Sequence, residues 1–66
     1  MSELDGLRLF YSLVVACNAA SAAQDISYGW AADSHRDEAE KYYRALPDEM
    51  KQAATLIYDR TINGDF

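Results

Sequence analysis

Residues 9–23 read LFYSLVVACNAASAA, and the fold turns on what this stretch is. Large apolar residues passing into small ones have the outline of a signal-peptide core. Val14-Val15-Ala16-Cys17 likewise has the outline of a bacterial lipobox. A secretory start carries positive charge ahead of its apolar run. Here Glu3 and Asp5 outweigh Arg8, so cleavage is not expected. Ser12, Asn18 and Ser21 interrupt the run. It is therefore expected to fall short of the roughly 20 apolar residues of a membrane span. The stretch reads as the buried helix of a helical domain.

Worked outward, the periodicity predicts a first helix from about Glu3 to about Gln24. Ser2 is placed to cap it, with Asp5 three residues on as a short capping box. Acids in the first turn suit the helix dipole. Gly6 weakens the start by about 1 kcal/mol relative to alanine. Asp5, Arg8 and Ser12 form one polar arc. Leu4, Leu7, Tyr11 and Val14 fall on one side of it, and Leu9, Phe10, Leu13, Cys17 and Ala20 on the other. The apolar surface is thus wider than the ~100° stripe of an ordinary surface helix. The small residues from Ala16 to Ala23 let another helix approach closely.

Residues 25–33, DISYGWAAD, read as a connector broken at Gly29, with Ile26, Tyr28 and Trp30 expected to fold back over the core or, as the second reading, to form a contact surface. A second helix is predicted from about His35 to about Ala45, capped by Ser34 and followed by first-turn acids Asp37 and Glu38. Ala39, Tyr42, Tyr43 and Leu46 make its apolar face. Asp37 with Lys41 and Glu40 with Arg44 are acid-before-base pairs at i, i+4, worth a few tenths of a kcal/mol each. Pro47 forces a corner and suits the first position of a third helix. That helix runs to about Thr61 or Ile62, where Asn63-Gly64 is a stop signal. Its expected buried face is Met50, Ala53, Ala54, Ile57 and Tyr58, with Lys51, Gln52, Thr55 and Asp59 toward water. The fold class is all-α: a long N-terminal helix plus a shorter two-helix hairpin, in one domain.

Composition bounds the function. Sixty-six residues allow one domain, and a domain this small usually needs a staple or a partner. With one cysteine there is no intrachain disulfide, and one cysteine with one histidine does not make a structural zinc site. No cofactor is expected. Eleven acids against six bases give a net charge of −5, which disfavours nucleic acid and anionic lipid as partners. It suits a basic protein surface, or simply keeps the chain soluble.

No catalytic constellation is visible. His35 sits in a charged first turn and reads as a surface residue. Cys17 lies among Leu13, Val14, Val15 and Ala16 and reads as a packing cysteine. The acids Asp33, Asp37, Glu38, Glu40, Asp48 and Glu49 match neither a calcium loop nor a di-iron pattern. With Arg36, Lys41 and Arg44 interleaved they read as a solvated face, or else as a patch that meets a basic partner. The corner at Pro47 has the outline of a helix-turn-helix, but its second helix opens on Asp48 and Glu49, where DNA readers place groove contacts.

A small, acidic chain without catalytic motifs resembles, as a class, the small inhibitors encoded by bacteriophages, such as anti-CRISPR proteins and other host-takeover proteins. The resemblance rests on size, charge and helical character. It implies a non-enzymatic protein of the infected bacterial cytoplasm that blocks a surface of a partner protein, and it transfers no functional residue. A structural or accessory subunit of a larger complex, and an acidic nucleic-acid mimic, are the alternatives. The partner contacts expected are Tyr28, Trp30, Asp37, Glu38, Glu40 and Tyr43. A homodimer is expected through Leu7, Leu9, Phe10, Leu13 and Val14, because helices two and three each offer one face to a first helix that is apolar nearly all round.

Overall fold

The computed structural model describes residues 3–27 and 29–64. Three helices make up nearly all of them: α1 (Glu3–Asp25), α2 (Gly29–Ala45) and α3 (Asp48–Asn63). No strand occurs among the described residues, so the fold is the expected all-α one. The start of α1 lies beside the start of α3, where a Cβ on Gly6 would come 2.7 Å from the Met50 sulfur and 3.8 Å from Pro47. Only glycine lets α1 pass this point without a shift. The far ends of the same helices also meet, because Gln24 Nε2 donates to the Gly64 carbonyl at 2.9 Å. Helices α1 and α3 therefore run the same way and α2 runs against both. The result is an up-down-up bundle about 37 Å long and 16 by 13 Å across.

Local chemistry sets the ends of α3. Pro47, at φ −59° and ψ 151°, occupies the cap position, one residue earlier than the first helical position expected of it. Its carbonyl accepts the N–H groups of Met50 and Lys51 at 3.0 and 2.9 Å. Asp48 and Glu49 follow in the first turn, where the dipole favours acids. Gly64 ends the helix in the left-handed region at φ 71°, a conformation that costs glycine nothing.

The second helix departs from expectation. It starts at Gly29, not near His35, and runs through Ser34, which is exposed in mid-helix and caps nothing. The reversal comes earlier, at Ser27, whose φ of 64° is left-handed and whose N–H donates to the Gln24 carbonyl at 3.0 Å. Once Ser27 has turned the chain, Gly29 is free to open a helix. Ile26 and Trp30 were expected over the core; they are instead 64% and 76% exposed. Tyr28 and Ser2 lie outside the described residues.

The core is built from small side chains. Leu13, Ala16, Cys17, Ala20 and Ala23 line the buried face of α1 at helical spacing, against Ala32 and Ala39 of α2. Leu46 and Ala54 complete it, so six of nine buried apolar side chains are alanine. The α1–α2 packing is the most extensive of the three helix pairs. On α3, Met50, Ile57 and Tyr58 are half-buried against this core as expected, whereas Ala53 is exposed. Thr61 is fully buried, with its hydroxyl donating to the Ile57 carbonyl at 2.9 Å.

One sequence expectation about α1 is corrected. By length and composition the helix is long and apolar enough to cross a membrane, its serines and asparagine notwithstanding. A soluble protein's core helix and a signal sequence pass the same test, and a third of the stretch is buried inside the chain.

Candidate protein-interaction surface

The apolar circumference of α1 is divided unequally. Leu13, Ala16 and Cys17 turn inward, while Leu4, Leu7, Tyr11 and Val15 remain 57%, 59%, 72% and 48% exposed. Those four recur at spacings of three, four and four, so they form one line along the helix. The surface expected for a second copy is therefore split. Leu7 lies on the exposed line, Val14 is partly covered, and Leu9 and Phe10 pack against the core. Leu13 is fully buried in its own chain and is spent on the core. Beside the exposed line, Tyr11, Ser12, Val15 and Ala16 meet Glu38 and Tyr42 of α2 around a groove of about 150 Å³.

A second surface runs along the solvent face of α2. Trp30, Asp33, Asp37 and Lys41 recur at three and four residues and are all exposed. Glu38 is also exposed and lies 3.7 Å from His35 Nδ1. Glu40 pairs with Arg44 as expected, but among the described residues no ion pair joins Asp37 to Lys41. A shallow depression of about 500 Å³ spans Asp37, Glu40, Lys41 and Arg44. Acids and bases alternate around it, so it presents no field of one sign. Tyr43, expected at a contact, is committed inside the chain. Its ring stacks on Tyr58 with centroids 4.1 Å apart and planes 3° apart, and its hydroxyl lies 3.1 Å from Thr55 Oγ1. Burial pushes the Tyr58 phenol up, and the Glu40 carboxylate adds to this.

Arg36 has a role that the sequence reading missed. From α2 its Nε donates to the Thr61 carbonyl at 2.9 Å, Nη1 donates to Asp33 Oδ1 at 2.9 Å, and Nη2 donates to Gln24 Oε1. One guanidinium thus ties the last turns of α1 and α3 to α2, with its positive charge at the carbonyl end of α3. Neither partner helix announces this, because the acceptors are a backbone carbonyl and a neutral amide.

Cys17 is a free, buried cysteine. Burial pushes the Cys17 thiol up, against a smaller opposing effect of a hydrogen bond to Thr61. This is the reverse of what an activated nucleophile needs. Among the described residues no group of three or more His, Cys, Asp or Glu is placed to hold a metal ion. No family model, curated protein or solved structure matches this chain.

Proposed function

We propose that this protein is a small, non-enzymatic regulatory or inhibitory protein that acts by occupying a surface of a partner protein. Trp30 carries the reading. It is the most exposed of the large apolar side chains described, at the start of α2 and in line with Asp33 and Asp37. Tryptophan is enriched among the residues that dominate binding energy at interfaces. Carboxylates beside it suit a partner with a basic surface and speed the encounter. The class resemblance to phage-encoded inhibitors of bacterial defence or host systems supports the same role, in the bacterial cytoplasm. The net charge of −5 disfavours direct binding of nucleic acid or of an anionic membrane.

A photo-crosslinking residue at position 30, expressed in the native host, identifies the partner, and titration of the purified pair then tests the site. Trp30→Ala is expected to weaken binding about 30-fold, the size of an interface hot spot near 2 kcal/mol. Raising the salt is expected to weaken it further through slower association. Equal affinity of the Trp30→Ala and native chains for that partner would refute the assignment.

A further inference from the structure

We propose that the exposed line on α1 is a self-association surface on which a second copy lays its own α1, antiparallel, about a two-fold axis passing beside Tyr11. The proposal concerns a different face from Trp30 and stands without it. Four large apolar side chains in one line make a patch on the order of 400 Å², the size of the largest patch on an ordinary monomer, which is often functional. Two such patches with their polar rims give about 1,200 Å² in total, at the low end of specific interfaces.

The residue order favours a copy of this chain as the occupant. A two-fold axis at Tyr11 pairs each position with the one equally far beyond it. Leu7 then meets Val15, Tyr11 meets Tyr11, and Leu4 meets the short polar Asn18, so no charge falls in the apolar seam. Charge complementarity fixes the direction. At about 100° per residue, Arg8 flanks the line on the side of Ser12 and Ala16. That is the side on which Glu38 stands, level with residues 11–16. An antiparallel two-fold keeps this side common to both copies and brings Arg8 of one to the level of residue 14 in the other, beside Glu38. The pair forms twice. Arg8 is exposed and has no ion-pair partner among the described residues, and Glu38 has only His35.

Sedimentation velocity of the full chain from about 5 to 500 µM reads the association, with circular dichroism confirming that each variant stays helical. The expected result is a reversible dimer with a micromolar dissociation constant. Tyr11→Asp is expected to weaken it at least tenfold, and Leu56→Asp, exposed on α3, to leave it unchanged. Arg8→Glu and Glu38→Arg are each expected to weaken it several-fold, and the double variant to restore it. These two charged variants carry the test if Tyr11→Asp does not fold. A monomer at every concentration overturns the proposal, as does a dimer indifferent to Tyr11→Asp. Failure of the charge swap to restore association overturns the antiparallel arrangement. Binding of the native monomer to neutral phosphatidylcholine vesicles, abolished by Tyr11→Asp, would assign the line to a lipid surface instead.

Discussion

The two long faces of α1 are both apolar, and the buried one passes from the large Leu9, Phe10 and Leu13 to small side chains in its second half. Ala16, Cys17, Ala20 and Ala23 are buried, while Leu4, Leu7, Tyr11 and Val15 face out. Small residues let the α1 and α2 backbones close on each other, so the interior is filled largely by the helices themselves. The large residues have no third layer above them, because two helices of 17 and 16 residues cover only one side of a 23-residue helix. Hydrophobicity alone therefore does not say which side of α1 is the core. Small size marks the core only in the second half of α1, where α2 faces it with alanine.

The sharpest way to break this contrast is to truncate one leucine on each face. Leu13→Ala is expected to cost about 3 kcal/mol, since it opens a cavity in a core with few other large side chains. In the dilute monomer, below the concentration at which copies pair, Leu7→Ala is expected to stay within about 0.5 kcal/mol. Chemical denaturation monitored by circular dichroism measures both. Similar losses at the two positions would mean that the exposed face is covered within one chain.

Arg36→Leu tests whether the small-residue face needs its clamp. Loss of the bonds to the Thr61 carbonyl, Gln24 and Asp33 is expected to cost about 1–2 kcal/mol, discounted for the partial exposure of the guanidinium. Early hydrogen exchange is expected to appear in the last turns of α1 and α3. Uniform destabilisation without local opening would contradict the clamp.

Within the core, a smaller effect lies at Cys17, two residues from the exposed Val15. Cys17→Ala is expected to cost about 1 kcal/mol. Native Cys17 is expected to resist a thiol reagent under conditions that rapidly label a cysteine placed at Val15 in the Cys17→Ala chain. A raised thiol pKa favours the folded state while the thiol stays neutral. That contribution is complete below the ordinary value of 9.0 and is lost as pH rises through the folded value. Alkaline melting curves of the native chain and of Cys17→Ala are therefore expected to converge.

Helix type, the Pro47 corner and the Gly64 stop were legible because each is enforced by backbone chemistry that the residue itself carries. The start of α2 was not. Gly29 and Ser34 are ambiguous, since glycine opens a helix as readily as it interrupts one and serine in mid-helix simply faces water. The turn that decided the matter is the left-handed Ser27, and serine seldom advertises that conformation. On the candidate surface, Trp30 could be read from the sequence as core cover or as a contact, and the fold leaves it 76% exposed. Of the adjacent Tyr42 and Tyr43, Tyr43 was expected at a contact, but Tyr58 supplies the ring on which it stacks inside the chain. Arg36 looked like one more surface base because its partners come from positions 12 and 25 residues away.

The short connections of the bundle, between Asp25 and Gly29 and between Ala45 and Asp48, have a kinetic consequence. Every large packing surface joins helices that are neighbours in the chain or separated by one neighbour. Loops of two or three residues cost little entropy to close, and a topology of low contact order folds in microseconds to milliseconds. The α1–α2 pair, the most extensive of the three packings, is complete in the chain by residue 45. A chain that keeps large apolar side chains on its outside thereby spends very little time with its inside exposed as well.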